Sequence, residues 1–427
     1  MDSFVIRGDI CYSEGPGELR CVEDGYLVCE NGVSQGVFIS MPELYSDLPL
    51  LDHEGKLIIP GLVDLHMHAP QYAFRGLGMD LELLQWLETY TFPEESKYRN
   101  LGYARNAYTA VVRNLINGPN TRACLYATVH LPSTRLLMDM LEESGLVCMV
   151  GKVNMDRNCP AYLCEDNAAR SAEDTRRWLN ASVGRYNNTS VILTPRFIPV
   201  CSDELMRELA VLQQEYKVPV QSHLSESLAE IEWVRQLCPF SKSYSGAYKE
   251  FGLFGGEVPT IMAHCVWSDD EEIELMRQNN VYVAHCPQSN MNLSSGIAPL
   301  RRFLNNNLSI GLGSDVAAGC HTSIFRAMSD AIQVSKLRFR HVNQAEPPIT
   351  VSEAFYLGTL GGGSFFGKVG SFEAGYEFDA IVIDDNGIYA PFPLTVEERL
   401  ARVIYFSDDR HIYEKYVRGR CIKYRVL

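Results

Sequence analysis

No run of apolar residues in this 427-residue chain approaches the length, about 20, that a membrane-spanning helix needs. Positive charge is also scarce: 38 Lys and Arg stand against 53 Asp and Glu, a formal net charge of −15. The acidic residues are scattered rather than gathered in a tail. A surface for nucleic acid or an anionic membrane, which needs concentrated Lys and Arg, is therefore not expected. The thirteen cysteines are odd in number and include no C-x-x-C pair, which argues against a disulfide frame and against a cysteine zinc site. Cys124, Cys148 and Cys265 fall in apolar, strand-like runs and read as reduced, buried small hydrophobes. Residues 1–9 carry no basic region and no long apolar stretch, so a soluble, cytoplasmic protein is expected. Internal repeats, low-complexity tracts and long linkers are lacking too.

What is present is a change of rhythm. Residues 1–60 read as short strands (3–6, 26–30, 36–39 and 57–59) divided by Gly, Pro and Asp turns. From Gly61 onward, strand-like and helix-like segments alternate. Eight apolar runs stand out, at 62–68, 122–127, 147–153, 191–194, 218–223, 260–264, 281–285 and 310–314. The segment 202–215 shows the intervening helical pattern, with Ser202 as N-cap and Leu205, Leu209 and Leu212 on one face. Eight such runs separated by amphipathic helices predict an α/β protein built on a (β/α)8 TIM barrel. Strands return after residue 370. The expected organisation is a barrel over residues 61–369 and a small β-sandwich domain formed by both termini, residues 1–60 and 370–427.

The run Leu62-Val63-Asp64-Leu65-His66-Met67-His68 carries the most chemical information. Alternation along a strand puts Asp64, His66 and His68 on one face and Val63, Leu65 and Met67 on the other. The polar face arrives as the strand ends, where a barrel builds its active site. Three more runs end the same way: the fifth at His223, the sixth at His264 and the eighth at Asp315. Isolated histidines are mostly core or loop residues, but four polar terminations at matching points of four strands call for a shared cause. Nitrogen and carboxylate donors converging on one mouth suit a single Zn²⁺ or Fe²⁺, with a position left for water.

Glu226 follows His223 in His-x-x-Glu spacing, in the loop over that mouth. Water activated by a metal still needs a group to carry protons to the substrate and leaving group, a role that suits Glu226, with Asp315 taking the proton of the water. The structural alternative is a glutamate opening a helix near its positive end. His285, which ends the seventh run, and Asn290 after it suit supporting hydrogen bonds, and His321 is expected near the mouth. Lys152 ends the third run and could bridge a second metal; the fourth run offers no lysine, which favours a mononuclear site.

Taken together, Pro60–Gly61 leading into His66-Met67-His68, Gln221-Ser222-His223-Leu224-Ser225-Glu226, Ala263-His264-Cys265 and Gly313-Ser314-Asp315 resemble the amidohydrolase superfamily, in its mononuclear deaminase branch. His68-Ala69-Pro70-Gln71-Tyr72, Trp86 to Pro93, Thr194-Pro195-Arg196-Phe197 and His285 to Asn290 are similar to the guanine-acting members of that branch. Gly370 to Asp379 resembles the superfamily's return into its small sheet domain. One departure is Asn117-Gly118-Pro119-Asn120-Thr121-Arg122, where relatives usually carry Gly-Thr-Thr-Thr; it precedes the second strand, on the stability face of the expected barrel, away from the chemistry.

The resemblance implies metal ligation by His66, His68, His223 and Asp315, with His264 orienting the attacking hydroxide or binding it directly. It implies hydrolytic release of ammonia from guanine, one Zn²⁺ per chain (Fe²⁺ as the alternative), a small-molecule purine as partner and a homodimer. Gln71 would meet the purine edge, Arg196 would donate to its carbonyl oxygen, and Phe197, Trp86 and Leu84 would supply apolar walls. Without the resemblance, Arg196 reads as a structural ion pair and Trp86 as a core anchor. Rival readings are a deaminase of a guanine-like heterocycle (8-oxoguanine, a pterin or an aminotriazine) and a non-catalytic scaffold on the same fold.

Overall fold

The computed structural model describes residues 3–422. Four strands open the chain: β1 (Phe4–Gly15), β2 (Glu18–Glu30), β3 (Val33–Phe38) and β4 (Leu50–Pro60). Then come β5 (Leu62–His68), β6 (Asn120–Tyr126), β7 (Val147–Gly151), β8 (Val153–Asn154), β9 (Thr189–Val191), β10 (Thr194–Pro195), β11 (Val220–Leu224), β12 (Thr260–His264), β13 (Val281–His285) and β14 (Ser309–Leu312). The last three are β15 (Ala380–Ile383), β16 (Ile412–Val417) and β17 (Arg420–Cys421). Helices separate most of the middle strands, and the fold is mixed α/β.

The middle strands form two parallel four-stranded sheets, β5-β6-β7-β9 and β11-β12-β13-β14, with β8 and β10 as a short parallel pair. Backbone hydrogen bonds continue across both junctions. Leu193 donates to Pro219 and accepts from Gln221 at 2.9 Å each, while Asp315 N donates to His66 O at 2.8 Å and His68 N to Val316 O at 3.0 Å. The expected third run is interrupted at Lys152, and the fourth between Val191 and Thr194. The helix expected at 202–215 spans Asp203–Tyr216, and the Ser202 side chain accepts from Leu205 N as its cap.

Strict alternation along β5 does not hold. Its pairing with β6 slips between Asp64 and Met67. Val63 and Leu65 join a cluster with Cys124, Ile192, Ile261, Ala263 and Ala284, whereas Met67 packs into the main core. A local irregularity of this kind re-aims side chains, and it falls beside the paired histidines. Gly61 lets β5 leave β4 closely over β6, since a Cβ there would lie 2.2 Å from Thr121 Oγ1.

The terminal strands form one seven-stranded sheet, in the order β17-β16-β15-β4-β1-β2-β3. The early strands are much longer than the short runs expected, because β1 and β2 pair as a hairpin from Phe4↔Cys29 to Gly15↔Glu18. Cross-strand pairing carries Gly and charged residues that local patterning counts against a strand. Phe4, Ile6, Ile10, Tyr12, Phe372, Phe378 and Tyr416 make its core.

A buried ion pair ties this sheet to the middle strands. Arg122 Nε donates to Asp379 Oδ2 at 2.6 Å and Nη2 to Glu377 Oε2 at 2.7 Å, with Arg122 only 1% exposed. Arg122→Met should destabilise the fold by about 3–5 kcal/mol, because it leaves the buried Asp379 charge uncompensated. Denaturant unfolding of the variant checks this, and a loss below ~1 kcal/mol contradicts it.

Candidate active site

The polar strand ends meet. His66 Nε2 lies 3.1 Å and His68 Nε2 3.5 Å from Asp315 Oδ1, and His68 Nε2 lies 3.3 Å from His223 Nε2. His264 is in the same group: its ring stands 5.4 Å from those of both His66 and His223, and one nitrogen of each of the three lies within 4.8 Å of the others. All five side chains are almost completely buried, apart from a partly exposed His223.

The backbone is strained where these groups emerge. Ser225, His264, Cys265 and Asp315 all adopt left-handed conformations, with φ of 47°, 73°, 49° and 46°. Non-glycine residues hold such angles only where the surroundings over-determine them, as at functional sites. Gly313 lets the chain pass tightly here, since a Cβ would fall 2.9 Å from His66 Cβ. Asp64 Oδ1 accepts from His66 N at 3.1 Å and from Ser314 N at 3.0 Å, bracing β5 against the segment that carries Asp315.

This donor set fits a divalent cation. His223 Nδ1 donates to Arg196 O at 2.7 Å and His264 Nδ1 to Asn290 Oδ1 at 2.9 Å, which turns each Nε2 lone pair inward. Burial, reinforced by the neighbouring histidines, holds His68 and His223 well below the usual imidazole range, so both imidazoles are neutral. Burial alone would raise Asp315, but the imidazoles around it hold it well below the usual carboxylate range. Ligands of a tetrahedral centre bound at ~2.0–2.1 Å lie about 3.3–3.4 Å apart, close to the separations here. The 3.3 Å approach of His68 Nε2 to His223 Nε2, with Asp315 Oδ1 3.5 Å from the former, leaves these ring nitrogens close enough to share one cation.

Glu226 reaches the same centre. Its Oε2 is 3.5 Å from His264 Nε2, and its Oε1 accepts from Ser295 Oγ at 3.1 Å. It does not open a helix. The following helix, Leu228–Leu237, is capped by Ser227, and the capping-box carboxylate is Glu230, which also accepts from Glu226 N at 3.0 Å. Glu226 is thereby free for other work. Burial pushes its carboxyl up to about 7, a value suited to a group that both gives and takes a proton.

Beside these residues lies a cavity, which His68, His223, Glu226, His264 and Asp315 help to line. Gln71, Trp86, Arg196 and Phe197 all line it, as do Leu83 and Leu87. The wall expected from Leu84 comes from those two instead, because they flank the face that Trp86 presents in this turn of helix. Arg196 is both an ion pair and a cavity residue: Nη1 and Nη2 donate to Glu95 at 2.5 and 3.1 Å. Trp86 is likewise a core anchor and a wall, its Nε1 donating to Leu77 O at 3.1 Å and its ring 5.4 Å from that of Phe74.

Sequence reasoning missed Glu95, which also accepts from Gln71 Nε2 at 2.9 Å, and Ser295. Glu95 sits beside Glu94 after Pro93, and nothing local distinguishes the two glutamates. Asn290 takes its expected supporting place, but both ring nitrogens of His285 lack a hydrogen-bond partner among the described residues. His321 is exposed. Lys152 pairs with Glu165 rather than joining the histidine cluster.

The amidohydrolase family model matches residues 57–422. The guanine deaminase of Dictyostelium discoideum is 41% identical over 445 residues, covering 98% of each chain. That of Escherichia coli K12 is 32% identical over 421 residues, covering 95% of this chain and 92% of the relative. The crystal structure of guanine deaminase from C. acetobutylicum with guanine bound in its active site superposes with a TM-score of 0.96 at 45% identity, covering 99% of this chain and 100% of that one. The chain belongs to the amidohydrolase family and, within it, to the guanine deaminases.

Proposed function

We propose that this enzyme hydrolytically deaminates guanine to xanthine and ammonia, using His66, His68, His223 and Asp315 to hold one Zn²⁺, with Fe²⁺ as the alternative. The observation that carries this is the convergence of those donors and Glu226 on the floor of a cavity walled by Gln71 and Arg196. A bound divalent cation supplies Lewis-acid activation of water at neutral pH. Everything else falls to the chain's own residues. Gln71 and Arg196 hold the edge of the base, while Phe197 and Trp86 cover its apolar faces. Asp315 accepts a proton from the attacking water. Glu226, anchored by Ser295, carries a proton to the ring nitrogen and then to the departing amine, so that water adds at the carbon that loses ammonia. His264, held by Asn290, orients the water.

Three further inferences accompany this reading. The eight parallel strand positions close as a (β/α)8 barrel over residues 61–369, supported by the hydrogen bonds that continue across both junctions between the parallel sheets. The two termini make one small β-sheet domain, supported by the single seven-stranded sheet that their described strands share and by its aromatic cluster. The protein works in the cytoplasm as a homodimer; thirteen cysteines with no C-x-x-C pair fit a reducing compartment, and the dimer rests on the family likeness.

Ammonia release from guanine, 8-oxoguanine, a pterin and an aminotriazine tests the substrate. Guanine should lead by at least about tenfold in kcat/KM, a margin that unpaired buried donors readily supply. A different base in first place overturns the assignment.

A further inference from the structure

Glu95 stands apart from the residues that face the cavity. It is 1% exposed, on the short helix Phe92–Ser96, and it is not among the lining side chains. Yet two polar residues of the cavity wall, Gln71 and Arg196, end on its carboxylate. Oε1 accepts from Gln71 Nε2 at 2.9 Å and from Arg196 Nη2 at 3.1 Å, and Oε2 accepts from Arg196 Nη1 at 2.5 Å. The other end of the Gln71 amide is fixed as well, because its Oε1 accepts from Ala317 N at 3.3 Å. Arg196 is held from its face by the Phe92 ring, 5.3 Å away, and its backbone N donates to Asn154 O at 3.2 Å.

These bonds leave little freedom. A guanidinium has five N–H donors, and Glu95 takes two. The Gln71 amide keeps one N–H and one carbonyl lone pair, each pointing in a direction set by Glu95 and Ala317. The pair also removes the net charge from the cavity wall: a lone buried guanidinium would favour an anion, whereas the neutralised pair offers directed donors to a neutral base. A purely packing ion pair would have no reason to share one oxygen with a second cavity residue.

We propose that Glu95 is the positioning residue that sets specificity for a carbonyl-bearing purine edge, by holding Arg196 and Gln71 in one orientation. This rests on the reading of the cavity as a guanine site and assigns it a determinant outside the pocket wall. The informative competitor is 2-aminopurine, which carries the same leaving amine as guanine but lacks the carbonyl oxygen. Loss of orientation weakens selection for the carbonyl, whereas general damage lowers the use of both bases together.

The experiment compares kcat/KM for guanine and 2-aminopurine in the metal-loaded wild type, Glu95→Gln and Glu95→Asp, with metal content measured on each. Gln removes the charge at constant shape, and Asp keeps the charge but shortens the reach. In both variants the guanine preference should fall at least tenfold, chiefly through KM, at unchanged metal content. A preference within twofold of wild type, whether activity is kept or both bases fall together, overturns the proposal. The paired variant Glu95→Gln with Arg196→Met leaves no unpaired charge and keeps the question answerable if the single variants fold poorly. Its guanine preference should be no higher than that of Arg196→Met alone, because Gln71 loses its partner as well, and a preference within twofold of wild type overturns the proposal. A wild type that ignores guanine instead sinks the reading of the site itself, a result distinct from either.

Discussion

Replacing Glu226 with Gln should lower kcat about 10²–10⁴-fold, the usual worth of a positioned general acid–base group, while metal content stays at the wild-type level. The amide keeps the shape of the carboxyl group and can still meet Ser295 Oγ, which lies 3.1 Å from Oε1 in the wild type. What it cannot do is accept and release a proton. KM should change little, since the bonds to Arg196 and Gln71 are untouched. Steady-state kinetics beside metal analysis separate the outcomes. Near-normal turnover removes Glu226 from proton transfer, and loss of metal along with rate makes it a structural support of His264, 3.5 Å away.

Removing the metal with a chelator should abolish activity and also lower the thermal midpoint. A ligand present at a thousand times its Kd stabilises the state that binds it by about 4 kcal/mol. Without a cation, the crowded imidazoles, with His68 Nε2 and His223 Nε2 3.3 Å apart, lose the shared partner that would hold them together, which favours relaxation or local opening. Adding back Zn²⁺ or Fe²⁺ should restore both activity and midpoint, and the better of the two identifies the preferred ion. A stripped chain that still releases ammonia from guanine at the original rate would falsify the metal-dependent mechanism. A midpoint unchanged by complete metal loss would show instead that the histidine cluster is preorganised without its ion.

Much of the centre could be read from the sequence because its donors occupy one repeated place, the carboxyl end of an apolar strand. His66, His68, His223, His264 and Asp315 each follow a buried run, and parallel strands deliver their ends to one side. That regularity survives small errors in strand boundaries. The run beginning at Val218 starts as a strand at Val220, and the one ending at Ser314 stops at Leu312, yet the polar residues still meet. The resemblance extended this to Gln71, Arg196, Phe197 and Trp86, which local patterning alone assigns to an ion pair and a core.

Other features had no local signature. Glu95 and Ser295 touch Arg196 and Glu226 across 101 and 69 residues of chain. Leu83 and Leu87 replaced Leu84 because helix phase is fixed only when the helix docks. The slip in β5 pairing between Asp64 and Met67 likewise depends on how β6 lies alongside it.

The sequence by itself determined the alternation of strands and helices and the identities of the metal-suited donors, since each follows from local pattern and residue chemistry. Only the tertiary structure decided that Ser227 and Glu230 cap the helix so that Glu226 is released towards His264, and that one buried carboxylate holds both Gln71 and Arg196. The physical reason is distance along the chain. Propensity and periodicity act over a few residues, whereas the orientation of a side chain in a site is set by partners that folding brings from far away.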